Sequence, residues 1–457
     1  MSSIKEMGAV EGAVSPAAIG KGKTSVKVGL LGLGVVGGGT WKVLRSNAEE
    51  IARRAGRRIE ITAVAVRNLE KARKILGDNS IKLTTDGLEI ARDPEIDIVV
   101  ELIGGDTTAR EWVMEAIAQG KHVVTANKAL LAIHGNEIFD AASQKGVMVA
   151  FEAAVAGGIP IIKAMREGLT ANRIEWIAGI INGTTNFILS EMQSRGLPFN
   201  TVLAEAQRLG YAEADPTFDI EGVDAAHKLT LLASLAFGIP VQFDKACVEG
   251  ISKLEAEDIQ QAARLGYRIK LLGIAHRRDD GIELRVHPTL IRSSSPLANV
   301  EGAMNAVLVH GDVVGPTLYY GQGAGEMPTA SAVVADLVDV ARLDSANPEH
   351  RVPHLAFQPN AVKDIPILPA EDIESSYYLR MRVEDRPGVL ADISRLLADA
   401  GISIGSMLQE PYQSDEATII FLLHRAREGA VGEAIEKIQK LPFVRSEVTR
   451  LRVEERI

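Results

Sequence analysis

The densest group of ionisable side chains in the sequence lies at residues 206–228, within an otherwise apolar stretch. Asp224 and Lys228 are four residues apart, so on a helix that begins at Val223 they share one face and can form an ion pair. Such a pair would orient the lysine ammonium group. Three further acids precede it on a proline-containing loop, namely Glu213, Asp215 and Asp219. They are placed to bind a cationic amino group or to hold water, but solvated acids and a surface ion pair of about 0.3–0.5 kcal/mol would give the same pattern.

A glycine-rich turn in G-x-G-x-x-G spacing follows the first predicted strand and opens a segment that can be helical to Leu44. Glycines at these points allow a tight turn, close backbone approach to a pyrophosphate, and close packing of helix on strand. A turn that needs glycine only for its backbone geometry would also fit the motif. Its position directly after the first strand of a βαβ series favours a dinucleotide site. The predicted cofactor-binding residues of this turn are Gly32, Gly34, Val35, Val36 and Gly37.

The second predicted strand ends without the acidic residue that normally binds the ribose 2′-hydroxyl of NAD. Arg67 stands there instead, and its guanidinium group suits a 2′-phosphate. A charge-assisted contact of roughly 1.5–3 kcal/mol corresponds to about 10-fold to 150-fold in affinity. The sequence therefore predicts NADP as the preferred cofactor over NAD, although a solvated arginine at a strand end is the other interpretation.

The elements that must position these residues form two patterns. At residues 26–151, short β-branched runs alternate with helical segments, which predicts a parallel sheet covered by helices, a Rossmann-type cofactor domain of the α/β class. Residues 152–320 change to longer helical periods followed by strand-like runs, which predicts an α+β substrate-binding and dimerisation domain. The glycine-rich segment 321–345 opens a helix that we expect to return to the cofactor domain.

Composition excludes several classes of protein. A net charge of -10 with no long basic run argues against nucleic acid as a partner. The single cysteine, Cys247, rules out an intramolecular disulfide or a cysteine metal cluster and suits the reducing cytoplasm. The sequence contains no run of about 18 uncharged apolar residues, the length that a membrane-spanning helix needs. Residues 1–25 mix charges with small residues, contain no apolar core of a signal peptide, and are predicted to form a flexible tail.

The C-terminal part carries a separate module. A proline-rich linker is predicted at residues 346–375, and residues 376–457 follow the ferredoxin-like order of strand, helix, two strands, helix and strand. The turn between the first strand and helix resembles that of ACT domains, which commonly pair and bind an amino acid. Backbone amides at such a helix start can receive a carboxylate. The predicted ligand-binding residues are Asp385, Pro387, Gly388 and Val389.

A module that only dimerises, without a ligand, would also fit this pattern. In either case an uncovered sheet edge favours pairing with another copy, so we expect a homodimer or homotetramer.

Residues 206–228 resemble the signature of the homoserine dehydrogenase family, A-x3-G, then D-P-x2-D, then G-x-D-x3-K. The matching positions are Ala206, Gly210, Tyr211, Asp215, Pro216, Asp219, Ile220, Gly222, Asp224 and Lys228. The similarity extends to the glycine turn, the Thr-Ala-Asn-Lys run at 125–128, and the runs at 151–162, 181–186 and 321–337. It covers nearly the whole chain from about residue 26.

This resemblance implies the reversible reduction of L-aspartate 4-semialdehyde to L-homoserine, in the biosynthesis of threonine, methionine and isoleucine. It implies that Lys128 and Lys228 face the reacting oxygen. Glu213 and Asp219 would bind or order the substrate, and Asp224 would support Lys228. Hydride transfer to the aldehyde carbon builds negative charge on oxygen, and a lysine that stabilises and protonates it contributes typically 10² to 10⁴ in rate. In the family Lys228 is the favoured proton donor and Lys128 chiefly places substrate and cofactor, but the residues alone do not divide the roles of the two lysines.

The resemblance also implies a monovalent cation, sodium or potassium, held mainly by backbone carbonyls. The candidate residues are Glu152, Val155, Gly157 and Ile159, and a plain glycine-containing turn is the alternative.

Gly325, in the returning segment, is a weaker candidate to approach the nicotinamide. Threonine is the ligand implied for the C-terminal module, as a feedback inhibitor.

Two other functions compete with this one. An aspartate semialdehyde dehydrogenase works through a thioester and needs an activated cysteine, whereas Cys247 has no histidine near it in sequence and lies outside every motif. A non-catalytic redox or amino-acid sensor could keep both the cofactor fold and the C-terminal module. The presence of Lys228 argues against it.

Overall fold

The structure is a computed structural model that describes residues 25–77 and 80–457. The predicted tail therefore lies outside the described residues, except for Ser25, which begins the first strand. Within the described part of the chain, no helix combines the length and the apolar character that a membrane crossing requires.

The N-terminal part is a parallel sheet with strands in the order β3-β2-β1-β4-β5-β6. Its strands are β1 (Ser25–Leu31), β2 (Arg58–Ala65), β3 (Lys82–Thr84), β4 (Ile98–Glu101), β5 (His122–Thr125) and β6 (Val149–Ala150). Its helices are α1 (Val35–Ser46), α2 (Ala48–Ala55), α3 (Leu69–Leu76), α4 (Gly87–Arg92), α5 (Thr107–Ala118) and α6 (Lys128–Lys145). Every residue of β4 and β5 is buried, as in a sheet covered on both faces. The strand order reverses between β1 and β4, which opens a crevice at their carboxyl ends.

The middle part of the chain adds a second sheet. Its elements are α7 (Ile161–Lys163), β7 (Ile174–Ile180), α8 (Gly183–Arg195), α9 (Phe199–Leu209), α10 (Thr217–Ile220), α11 (Val223–Phe237), β8 (Cys247–Val248), α12 (Ala256–Arg264), β9 (Tyr267–Arg277), β10 (Ile282–Arg292), β11 (Met304–Gly311), β12 (Gly315–Gln322) and α13 (Glu326–Leu343). Helix α11 packs on β9, β10 and α6, so it lies between this sheet and the cofactor domain.

Helix α13 leaves the middle part and packs against α1. A Cβ atom at Gly39 would lie 2.7 Å from the carbonyl oxygen of Glu326, so only glycine allows the two helices to approach this closely. Val333 and Leu337 of α13 share a core with Val28 of β1.

The C-terminal part contains β13 (Glu374–Glu384), α14 (Val389–Asp399), β14 (Ile404–Gln413), β15 (Glu416–Arg427), α15 (Glu428–Gln439) and β16 (Thr449–Glu454). This is the predicted ferredoxin-like order. Strand β16 also pairs in parallel with β10, with Thr289 opposite Arg452 and Ile291 opposite Glu454. The second sheet therefore runs through both parts, in the order β12-β11-β7-β9-β10-β16-β13-β15-β14.

The α/β class, the Rossmann-type sheet and the C-terminal module are confirmed by this architecture. Strand β3 was not predicted, because it has three residues and buries only Thr84, too little for an alternating pattern. The join between β10 and β16 was not predicted either, since it links strands more than 150 residues apart.

Candidate active site

Helix α11 carries the central groups of the site. It begins after Gly222 and ends before Gly238, both in the left-handed conformation that glycine adopts without strain. All its residues except Val223 and Lys228 are buried, including Asp224. A helix that is buried all round must satisfy its polar side chains internally, so the partners of Asp224 define the site.

The predicted pair on α11 forms and is largely buried, with 12% of the Lys228 side chain and 5% of the Asp224 side chain exposed. Lys228 Nζ donates to Asp224 Oδ2 at 2.6 Å and to the carbonyl oxygen of Ile181 at 2.8 Å. Lys128 Nζ lies 3.2 Å from Asp224 Oδ1, so two ammonium groups share one carboxylate. Lys128 is the first residue of α6, and this contact joins the cofactor domain to the middle part.

Asn182 organises the acids around this pair. Its side-chain nitrogen donates to Asp219 Oδ1 at 2.7 Å and to Asp224 Oδ2 at 2.8 Å. Its side-chain oxygen accepts the amide of Thr185, so the residue also caps α8. Thr184 donates to Asp219 Oδ2 at 3.1 Å. Sequence reasoning assigned no role to Asn182, although the run 181–186 contributed to the resemblance.

Burial and the charges of neighbouring side chains shift the pKa values of Asp224, Lys228 and Asp219. Burial by itself would raise the pKa of Asp224, but Lys228 and Lys128 oppose it and bring that pKa to about 2. Burial, with Lys128 in support, lowers the pKa of Lys228 despite the opposing charge of Asp224. Burial and the charge of Asp224 raise the pKa of Asp219. The site therefore holds a fixed negative charge beside a lysine that gives up its proton more readily than usual.

Aromatic side chains close one side of the cluster. The ring of Phe218 lies 5.9 Å from Lys128 Nζ, and its edge meets the buried ring of His227 at 5.3 Å. His227 also packs at 4.2 Å on Phe243. Burial lowers the pKa of His227 to about 4, so this histidine is neutral at neutral pH.

Two predicted substrate-loop acids lie apart from this network. Glu213 and Asp215 are both exposed. Asp215 accepts the amide of Thr217 at the start of α10. Gln207 donates to the backbone carbonyl of Glu213, not to its carboxylate. Hydrogen bonds and ion pairs bring Asp219, Asp224, Lys128 and Lys228 together, whereas Glu213 lies at the surface.

The glycine turn has the shape that a pyrophosphate requires. Gly32 has φ +98°, and a Cβ there would lie 2.8 Å from the carbonyl oxygen of Leu102. A Cβ at Gly37 would lie 2.3 Å from the carbonyl oxygen of Gly32, whereas one at Gly34 would meet no atom within 4 Å. Helix α1 begins at Val35 without a side-chain cap. The turn thus offers helix amides to an open space, a geometry that fits a dinucleotide phosphate.

The remaining cofactor candidates flank this turn. Arg67 is exposed, two residues beyond the end of β2, the strand that pairs with β1. Val36 is half-buried at the start of α1. Gly325 has φ +122° and immediately precedes α13.

The loop predicted to hold a cation is tightly built. The carboxylate of Glu152 accepts the amides of Ile162 and Lys163, so it caps α7. A Cβ at Gly157 would lie 2.4 Å from the carbonyl oxygen of Gly323, which brings the loop against the segment before α13. The other two candidates, Val155 and Ile159, are buried. In residues 25–77 and 80–457, no group of three or more His, Cys, Asp or Glu side chains could hold a metal, so such a site would depend on backbone carbonyls.

The turn of the C-terminal module is exposed up to Gly388, which has φ +95° and precedes α14. Gln409 of β14 donates to Asp385 at 3.2 Å. Pro387 lies between Asp385 and Gly388 in the turn and is exposed. Val389, the first residue of α14, is buried. Helix α14 has no side-chain cap, so its first amides face this turn.

A Rossmann-type sheet with a glycine-rich turn after its first strand, next to a largely buried lysine and carboxylate cluster, defines an NAD-binding oxidoreductase. Residues 160–338 match the family profile described as homoserine dehydrogenase. Residues 32–152 match homoserine dehydrogenase, NAD binding domain, and residues 377–443 match ACT domain. The chain belongs to the homoserine dehydrogenase family.

Curated relatives and a solved structure agree with this family. The chain is 61% identical to the homoserine dehydrogenase of Pseudomonas aeruginosa over 94% of this chain and 99% of that protein. It is 57% identical to that of Neisseria gonorrhoeae over 94% and 98%. The crystal structure of a homoserine dehydrogenase from Thiobacillus denitrificans superposes with a TM-score of 0.90 at 66% identity, over 94% of this chain and 98% of that one. The predicted family, the enzyme class and the ACT domain are thus confirmed.

Proposed function

We propose that this enzyme reduces L-aspartate 4-semialdehyde to L-homoserine with NADPH, reversibly, in the biosynthesis of threonine, methionine and isoleucine. The observation that carries the proposal is the largely buried ammonium group of Lys228, held by Asp224 and the carbonyl of Ile181. Membership of the homoserine dehydrogenase family supports the substrate pair.

The geometry of Lys228 suits a proton donor. An ammonium group has three N–H bonds, and Asp224 and Ile181 accept two of them. Among the described residues the third has no acceptor, so it can donate to a substrate oxygen, and its direction is fixed by the other two. When bound, NADPH supplies the hydride. Lys228 then stabilises the negative charge on the oxygen and gives it a proton, which the lowered pKa of Lys228 eases.

The other residues of the cluster have supporting roles in this proposal. Lys128, one-third exposed at the mouth of the site, positions the substrate and cofactor. Asp219, together with Glu213, binds the amino group of the substrate. A substrate ammonium group beside Asp219 would offset the repulsion from Asp224 that raises the pKa of Asp219. Glu213 is exposed, so its part requires the loop before α10 to move inward.

The amides of the turn from Gly32 to Gly37, with Val35 and Val36 at the helix start, bind the pyrophosphate of the cofactor. Arg67 binds the 2′-phosphate, so NADP is preferred over NAD. Gly325 lies near the nicotinamide. Sodium or potassium is bound by backbone carbonyls of residues 152–159, with Glu152, Val155, Gly157 and Ile159 as candidates.

The ACT domain binds threonine as a feedback inhibitor in this proposal, at the turn of Asp385, Pro387, Gly388 and Val389. Strands β12 and β14 form the two ends of the second sheet, and exposed edges of this kind favour assembly into a homodimer or homotetramer. We place the enzyme in the cytoplasm, which suits its single cysteine.

The test follows NADPH absorbance with L-aspartate 4-semialdehyde, with and without threonine. We expect oxidation of NADPH that threonine slows, and no oxidation would refute the proposed direction. Equal rates with threonine would refute only the regulation.

A variant tests the role of Lys228. Replacing Lys228 with methionine removes the ammonium group and keeps the length of the chain, so turnover should fall at least about 10²-fold. NADPH binding, measured by fluorescence titration, should stay close to that of the wild type. Near-normal turnover would remove Lys228 from the mechanism.

A further inference from the structure

A short segment after β8 lies against the turn that precedes α11. Glu249 donates its amide to the carbonyl oxygen of Val286 on β10, and the amide of Ile251 donates to that of Ile220, each at 2.8 Å. The segment 249–251 is therefore hydrogen-bonded on one side to the second sheet and on the other to the end of α10.

This contact is too close for the two backbones to move independently. A Cβ at Gly250 would lie 2.5 Å from both the carbonyl oxygen of Ile220 and the Cα atom of Glu221. A Cβ at Gly222 would lie 3.5 Å from the carbonyl oxygen of Glu249. The turn 220–222 therefore follows any displacement of segment 249–251, and it connects Asp219 to Asp224.

The side chain of Glu249 extends to the ACT domain. Arg452 of β16 binds both of its carboxylate oxygens, at 2.7 and 2.9 Å, and Arg450 binds one of them at 3.0 Å. A bidentate pair of this kind fixes direction as well as distance. Arg452 is almost fully buried and also pairs with Glu428 of α15, so it is held firmly within the ACT domain.

We propose that Glu249 is a positioning residue that couples the ACT domain to substrate binding. It fixes the turn 220–222, and with it the position of Asp219, to strand β16, whereas Asp224 is held separately by Lys228 and Lys128. A change of ACT conformation at β16 then alters the affinity for substrate more than the chemical step. The inference rests on the proposed function, since it assigns Asp219 to substrate binding and threonine to the ACT domain.

The test compares two glutamate-to-glutamine variants at the same domain border. Glu249→Gln removes the charge that the two arginines bind. Glu257→Gln is the matched control, because Glu257 pairs across the border with Arg380 and Arg382 but lies on α12, away from the turn 220–222. Each variant is assayed as the full chain for homoserine oxidation, with KM, kcat and the half-inhibiting threonine concentration measured.

We expect Glu249→Gln to raise KM for homoserine about fivefold or more, the lower end of typical coupling between sites, with kcat within about twofold. The half-inhibiting threonine concentration should change by a similar factor, and Glu257→Gln should change none of these values. If Glu249→Gln fails to fold, Arg450→Gln takes its place, because it leaves the buried pair of Arg452 and Glu428 intact.

An unchanged KM in a folded variant would overturn the inference. So would equal effects in Glu257→Gln, which would show a general loosening of the border. A wild type that ignores threonine, together with a raised KM in Glu249→Gln, would reject the proposed feedback and support the positioning role.

Discussion

Replacing Asp224 with asparagine separates charge from shape in the active site. Asparagine has nearly the same size and keeps one oxygen that can accept from Lys228. The substitution removes the negative charge that Lys228 and Lys128 share. It should therefore leave the fold of α11 in place and change the protonation of Lys228.

The expected size of the change follows from burial. Burial and Lys128 already lower the pKa of Lys228, and the charge of Asp224 at 2.6 Å is the main influence that opposes them. Loss of an adjacent opposite charge shifts a pKa by about 1–3 units. Since Lys228 is largely buried and has a second ammonium group nearby, the loss of this charge should lower the pKa of Lys228 further.

The assay is the pH dependence of kcat in both directions. Aldehyde reduction needs Lys228 protonated, so its rate falls as pH rises through the pKa of Lys228. Alcohol oxidation needs the deprotonated amine, so its rate rises through the same pKa. In Asp224→Asn two limbs of the pH profiles, the falling limb for reduction and the rising limb for oxidation, should both move to lower pH by about 1–3 pH units.

Asp219→Asn serves as the control, because Asp219 has a smaller influence than Asp224 on the pKa of Lys228. It should raise KM and move the limbs by less than about 1 unit. If turnover fell in Asp224→Asn while both limbs stayed at their wild-type pH, Asp224 would act by orientation alone. The charge argument for Lys228 would then be wrong.

Two further predictions concern the binding of the cofactor and the protonation of the buried His227. Arg67→Gln should weaken NADPH binding by about 10-fold to 150-fold and leave NADH binding nearly unchanged, as measured by fluorescence titration; equal losses for both cofactors would contradict the role of Arg67. Because the folded protein holds His227 with a pKa of about 4, below its ordinary value of 6.5, stability contributed by the neutral ring is lost as pH falls from 6.5 toward 4. His227→Gln lacks this proton, so its melting temperature should fall less than that of the wild type over the same acid range; parallel curves would show that His227 does not titrate there.

Much of the fold could be predicted because the local signals agree with it. The helix Val223–Phe237 has glycine at both ends and an apolar interior, and the glycine turn directly follows β1. The spacing of Asp224 and Lys228 predicted their pairing. Their burial did not follow from spacing, because it depends on the sheet packed beneath α11.

The residues that sequence reasoning missed act through contacts between distant segments. Asn182 bridges Asp219 and Asp224 from the start of another helix. A signal for the capping role was present, since asparagine is a preferred residue at the N-cap of a helix. Nothing in the sequence indicated its second set of partners, nor the pairing of Glu249 with Arg452 more than 200 residues away.

The parallel pairing of β10 with β16 bears on any attempt to delete the C-terminal domain. Cutting the chain before β13 would strip the partner from Thr289, Leu290 and Ile291, which are buried in the intact protein. In the truncated enzyme, this part of β10 would become an exposed apolar edge of the sheet, and such an edge is a template for aggregation. A soluble catalytic fragment should therefore need charged or proline substitutions along that edge.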